Sequence, residues 1–162
     1  METRIKTPEE LLKYRPLRQV LGDKPAVYSV GPAASTFTAV EQMASRNVGF
    51  LVVLDQERLV GVLSERDYAR KVVLRGKASQ DTPVRDIMTK DVVTVTPDHT
   101  LPQCMVLMHD KGFRHLPVVF EDKVLGVVSI RDLLREVIAH HERVIRDLAL
   151  ERMAMMSGGS SY

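Results

Sequence analysis

The stretch "GVLSERDYAR", Gly61 to Arg70, returns 65 residues later as "GVVSIRDLLR", Gly126 to Arg135. Six of the ten letters are the same, Ser-x-Arg-Asp among them. Each copy follows an apolar, strand-like run and opens an apolar helical pattern. Working outward, residues 27–70 lie over 92–135 without a gap, with 12 of 44 positions identical. "VYSVGP" answers "VVTVTP", and "FLVVLDQERLVGVLS" answers "HLPVVFEDKVLGVVS". A period of this kind sets the unit that folds.

Each unit predicts the order β-α-β-β-α. A short β-rich run, 27–30 or 92–95, ends at Pro32 or Pro97. Thr36, Ala39, Val40 and Met43 then fall at i, i+3, i+4 and i+7, as do Leu101, Cys104, Met105 and Met108. Two β-branched runs joined by a polar turn follow, and a second helix starts at the Ser. One such unit, about 45 residues, is too small to bury a good core unaided. A second copy closes its open face by pseudo-two-fold packing. The expected fold is therefore α+β, with a cleft between the repeats where small ligands tend to bind.

Flanking segments add to this. "TPEELLKYRPL" reads as a helix start, with Thr7 as N-cap, Pro8 in the first turn and Glu10 completing a capping box. The linker around 75–91 is polar, then apolar at Ile87 and Met88. The last helix is expected over about 130–156, roughly 40 Å long. Its stripe of Leu134, Val137, Ile138, His141, Ile145 and Leu148 runs past the domain body and predicts a partner helix from a second copy. "SGGSSY" reads as a flexible tail.

The composition, 44% hydrophobic and 27% charged, describes a globular chain, and no apolar run reaches the ~18 residues of a membrane span. No apolar leader opens the sequence, so a cytoplasmic protein is expected. The single cysteine, Cys104, excludes an internal disulfide and sits on the apolar side of a helix, as a buried small hydrophobe rather than a reactive thiol. A net charge of +2, no Trp, and only four Phe and four Tyr argue against nucleic-acid binding. The five histidines show no H-x-x-x-H or H-E-x-x-H spacing, and "AHHER" reads as a solvated face. With no G-x-S-x-G elbow and no Walker-type glycine loop, neither catalysis nor a metal is expected.

Ser-x-x-Asp has two readings. One is a capping box at a strand-to-helix junction. The other is half a ligand site. A helix N-terminus suits a phosphate, the Ser hydroxyl adds a donor, and an Asp one turn in can take both hydroxyls of a ribose. Arg66 and Arg131 would balance phosphate charge. In the second repeat, "GFRHLPV" puts Arg114 and His115 where the first has Gly49 and Phe50. An Arg-His pair beside a helix start suggests phosphate ligands, against the alternative of a solvated loop pair. Val48 and Gly49 would leave room for a flat base.

The paired units, "GVLSERD", "GVVSIRD", "VRDIMTKDVVTVTP" and "GFRHLPVV" together resemble the tandem cystathionine β-synthase (CBS) domain pair, or Bateman module, and the small stand-alone CBS-pair proteins in particular. The resemblance divides the chain into an N-terminal helical segment (1–23), repeat 1 (24–75), linker (76–90), repeat 2 (91–138), and a helix extension with tail (139–162). It implies an adenosine-containing ligand in the cleft, with AMP first and ATP, NAD(H) or S-adenosylmethionine as alternatives. It places the ribose-binding acid at Asp67 and Asp132 and the phosphate-binding hydroxyl at Ser64 and Ser129. The basic pair falls at Arg114 and His115 only, and Phe50 departs from the pattern. Base contacts fall at Ala26, Val48 and Gly49 for the site of Asp132, and at Met88, Thr89 and Phe113 for that of Asp67. A non-catalytic regulator is implied, homodimeric and acting in trans; plant organellar relatives suggest a thioredoxin-like partner. The rival reading is a ligand-independent interaction module whose Ser-x-x-Asp boxes are only caps.

Overall fold

The computed structural model describes residues 15–22 and 27–157. The expected helix start at Thr7, Pro8 and Glu10, the position Ala26 and the terminal "SGGSSY" after Ser157 lie outside them. A single turn, α1 (Leu17–Val20), precedes repeat 1, which is formed by β1 (Ser29–Val30), α2 (Thr36–Arg46), β2 (Phe50–Asp55), β3 (Arg58–Ser64) and α3 (Glu65–Lys71). Repeat 2 follows as α4 (Leu101–Lys111), β4 (His115–Phe120), β5 (Lys123–Ser129) and the 28-residue α5 (Ile130–Ser157).

The two hairpins copy each other. β2 pairs antiparallel with β3 and β4 with β5, and each ladder slips at the same place, Val53/Leu54 and Val118/Val119. Both turns carry two residues at positive φ, Gln56 with Glu57 and Glu121 with Asp122. This is the two-residue turn whose twist suits a hairpin. The helices are bounded as polar caps dictate. Ser35 accepts from Thr38 N at the start of α2, and Thr100 with Gln103 forms a capping box on α4.

Repeat 2 lacks the first strand expected over 92–95. Val95 makes only an isolated parallel bridge to Val118. The reason is Pro117. In repeat 1, Val52 donates its N–H to Tyr28 O at 3.2 Å, which helps hold β1. Pro117 stands where Val52 does and has no N–H to give.

Side chains alternate across each hairpin. Leu51, Val53 and Leu63 join Ala39 and Met43 in the core of repeat 1. Leu116, Val118 and Val128 join Leu101, Cys104, Met108 and Leu133 in that of repeat 2. The opposite faces carry Phe50, Val52 and Ser64 on one side and His115, Pro117 and Ser129 on the other. These faces meet: β3 lies against β5, and the Phe50 ring stacks on that of His115.

Each core is completed by a segment from outside its own repeat. Leu17, ahead of repeat 1, is fully buried in the core of repeat 2, while Val84 and Ile87 of the linker are buried in that of repeat 1. The backbone contacts correspond atom for atom. Leu17 N and Arg18 N donate to His99 O and Pro97 O, and Val84 N and Arg85 N donate to Ala34 O and Pro32 O. Gly61 and Gly126 serve the same exchange. A Cβ on Gly61 would come within 2.6 Å of Met88 Sδ, and one on Gly126 within 2.9 Å of Leu21 Cδ2. The glycine that opens both copies of the repeated decapeptide is thus the floor on which the borrowed segment rests.

α5 presents Leu133, Val137 and His140 to its own repeat and Leu134, Ile138, His141, Ile145 and Leu148 outward. "AHHER" is therefore not wholly a solvated face. His141 is exposed, but His140 is buried, because it follows Leu133 and Val137 on the inner stripe. No helix among the described residues is long and apolar enough to cross a membrane.

Candidate functional site

Both Ser-x-x-Asp motifs sit at the end of a hairpin strand, on the face turned to the other repeat. Ser64 is the cross-strand neighbour of Phe50, and Ser129 that of His115. The stack of Phe50 on His115 therefore draws the two helix starts toward one seam.

Each motif is a complete capping box. In repeat 1, Ser64 N and Oγ donate to Asp67 Oδ2 at 3.1 and 2.7 Å, and Asp67 N donates back to Ser64 Oγ at 3.2 Å. In repeat 2 the corresponding distances are 2.8, 2.7 and 3.2 Å between Ser129 and Asp132. Capping thus engages one oxygen, Oδ2, of each carboxylate, and the second oxygen points to different surroundings in the two repeats.

At Asp67, the Lys71 ammonium lies 2.8 Å from Oδ1 and donates a further hydrogen bond to Ile87 O at 2.7 Å. Burial alone would raise the Asp67 carboxyl and is the largest single influence. The hydrogen bonds from Lys71 and Ser64, with the Lys71 charge, outweigh it and hold the pKa below its ordinary 3.8. At Asp132, Arg135 stands 3.9 Å from Oδ1 with its side chain 79% exposed. Position 136, the counterpart of Lys71, is a glutamate bound to Arg143 at 2.8 Å.

Other candidate residues divide between the two half-sites. Arg114 O accepts from Ile130 N at 2.9 Å, which ties Arg114 to the start of α5 beside Ser129 and Asp132. Gly49 O makes the matching bond to Glu65 N at 3.1 Å, so Gly49 borders the helix start of Asp67. Val48 packs against the core of its own repeat. Thr89 exchanges both backbone hydrogen bonds with Val62, and Met88 lies over Gly61, which puts both beside the strand leading to Ser64. Phe113, Arg66 and Arg131 are exposed. Lys71 and Glu65 escaped the sequence reading, although the mismatched pairs Lys71/Glu136 and Glu65/Ile130 were visible in the alignment.

Among the described residues no three His, Cys, Asp or Glu side chains form a cluster able to hold a metal. Cys104 is buried, and burial pushes its thiol up to about 11, which leaves it unreactive at neutral pH. A shallow depression of about 490 Å³ lined by Leu148, Ala149, Arg152, Met153 and Met156 lies on α5, away from the motifs.

Comparison with known proteins agrees with this architecture. The CBS domain model matches residues 18–74 and 84–139, ranges that open on the two borrowed segments. CBS domain-containing protein CBSX3, mitochondrial, of Arabidopsis thaliana is 40% identical over 119 residues, which cover 70% of this chain and 58% of that protein. An uncharacterized 17.7 kDa protein of Acidianus ambivalens is 41% identical over 117 residues, 71% of this chain and 70% of its own length. The solved structure of a protein with CBS domains from Burkholderia ambifaria is 40% identical, with a TM-score of 0.74 over 77% of this chain and 95% of that one. Two matched repeats, two hairpins in one register and two relatives at this identity lead to one conclusion: the chain belongs to the CBS domain family and carries its domains as a tandem pair.

Proposed function

We propose that this protein is a non-catalytic sensor of adenine nucleotides, with AMP as first choice and ATP or NAD(H) as alternatives. The supporting observation is the grouping of Ser129, Asp132, Arg114 and His115 at one helix start on the face shared by the repeats. Asp132 would take the ribose hydroxyls. Ser129, Arg114, His115 and the N-terminus of α5 would take phosphate, with Arg131 beside them. By the resemblance, Ala26, Val48 and Gly49 would reach the base there from across the seam, although Gly49 itself borders the start of α3. Ser64, Arg66, Asp67, Met88, Thr89 and Phe113 would form the corresponding set at Asp67 if that half-site fills. Bound nucleotide would bridge the repeats and shift their arrangement by its differential affinity for the two states.

The output would act in trans on a protein partner, for which the resemblance to plant organellar CBS-pair proteins implies a thioredoxin-like protein. A cytoplasmic homodimer is the proposed form. The outer stripe of α5 supports the dimer, since Ile138 and Ile145 are 60% and 67% exposed.

The test is thermal unfolding with AMP, ATP, NAD, NADH and S-adenosylmethionine, on the native chain and on Asp132→Asn. Asparagine keeps an acceptor for the cap but not the charge. Ligand at about 100 times its Kd contributes roughly 2.7 kcal/mol, a rise of roughly 5–10 °C at this chain length. A rise that vanishes in Asp132→Asn supports the sensor. The completeness of both capping boxes favours one second reading, a ligand-independent interaction module, which predicts no rise with any of the five.

A further inference from the structure

The two half-sites share a motif but, besides Phe50 and His115, differ at three further aligned positions around it. Gly49, Glu65 and Lys71 in repeat 1 stand where repeat 2 has Arg114, Ile130 and Glu136. These differences have physical consequences. The Glu65 side chain lies over Gly49, since a Cβ there would come within 2.9 Å of Glu65 Oε2. A carboxylate thus borders the start of α3, where repeat 2 has Arg114, whose carbonyl is bonded to the start of α5. Lys71 bridges Asp67 Oδ1 and Ile87 O at 2.8 and 2.7 Å, while Ser64 engages Oδ2. A ribose reaching Asp67 would have to displace the ammonium from both partners.

We infer that Lys71 and Glu65 close the half-site of Asp67 to phosphorylated nucleosides, so that one chain takes one nucleotide, at Asp132. The inference rests on the sensor reading and adds a selectivity to it. Lys71 acts by competition, holding the carboxylate oxygen that a ribose hydroxyl would use. Glu65 acts by repulsion, since a phosphate at the start of α3 would face a carboxylate within one turn. The lysine has a second effect, because its bond to Ile87 O fastens α3 to the linker that completes the core of repeat 1. The half-site of Asp67 is thereby kept as a rigid support, and response to ligand is confined to the half-site of Asp132. A hydrogen-bonded charge of this kind corresponds to roughly a 10-fold to 100-fold difference in affinity.

The experiment is calorimetric titration of the full chain with AMP, with carbon NMR of the aspartate carboxyls followed in parallel. In the native chain we expect one AMP per chain, and a shift of the Asp132 signal without one at Asp67. The double variant Glu65→Ile with Lys71→Met should gain a second AMP per chain, together with a shift at Asp67. Two nucleotides on the native chain, or an AMP-dependent shift at Asp67 there, would overturn the inference. So would a folded double variant that still takes only one. Should the double variant not fold, the native-chain NMR decides alone. If AMP binds nowhere on the native chain, the sensor reading fails and this inference goes with it. That result is distinct from binding at Asp132 with no second site opened.

Discussion

The ring of Phe50 faces the imidazole of His115, with centroids 4.7 Å apart and planes 13° from parallel. The two residues are one position of the repeat written twice, so the pseudo-two-fold axis passes close to their stack. The stacked face contributes packing, while the ring nitrogens of His115 lie in the plane of the ring. Phe50→Ala should cost about 2 kcal/mol, somewhat less than for a fully buried ring. His115→Phe keeps a stack and should leave the thermal midpoint within a few degrees, yet lower affinity for nucleotide. Denaturant melts and nucleotide titration of both variants separate the two roles. A His115→Phe chain that binds as tightly as the native one would remove His115 from the ligand set.

Asp67 gives the fold a defined response to acid. Its folded pKa is below 3.8, so its contribution to stability is present above the unfolded pKa and is lost as pH falls through the folded value. Lys71→Met removes an ammonium that favours the ionised form, so the Asp67 pKa should rise. The acid loss of stability then becomes smaller and is complete at a higher pH, because only the folded value moves. Carboxyl NMR across roughly pH 2–6 reads this directly, and an unchanged Asp67 pKa would mean that Ser64 alone holds it down.

Gly61 and Gly126 occupy equal places in the repeat but face different neighbours. A methyl group at Gly61 meets Met88 Sδ at 2.6 Å and Thr89 O at 3.1 Å, and the latter is backbone already fixed by Val62. At Gly126 it meets only the tip of Leu21, at 2.9 Å. Gly61→Ala should therefore destabilise by about 1–3 kcal/mol and Gly126→Ala by less, because a leucine methyl can turn away while a paired carbonyl cannot. Equal losses in urea melts would contradict this.

The outer stripe of α5 offers a test of assembly. Ile145 is 67% exposed on the face turned from the domain body. Ile145→Glu should convert a dimer to a monomer in analytical ultracentrifugation while leaving the chain folded, since a carboxylate cannot be buried without a partner. A native chain that sediments as a monomer would exclude this pairing.

The hairpins, the helix stripes and the capping boxes were legible in the sequence because each depends on residues close together in the chain. The α2 and α4 patterns fall as expected, with Ala39, Met43, Cys104 and Met108 buried. The exchange of segments is not legible in this way, because it depends on contacts between residues far apart in the chain. Its trace was nevertheless present: "PLRQVL" at 16–21 echoes "PVRDIM" at 83–88, offset by 67 rather than 65 residues. That two-residue shift left it outside a gapless alignment. Pro117 was equally readable as a break in the first ladder. For the candidate site, Ser, Asp, Arg and His could be named from the motif; Lys71 stands four residues beyond Asp67 on the same helix, but its second bond, to Ile87 O, appears only where α3 and the linker meet in space.

The exchange also bears on how the chain is made. Leu17 leaves the ribosome early, yet the residues that bury it, from Val95 to Leu133, come some 80 to 115 residues later by the numbering. Repeat 1 can close once Val84 and Ile87 have emerged, but repeat 2 must wait for its own last helix and then recapture a segment from the far end of the chain. Contacts of such separation slow folding. Cutting the linker ahead of Val84 would yield two fragments, each holding the segment that the other needs, and neither would be a domain in its own right.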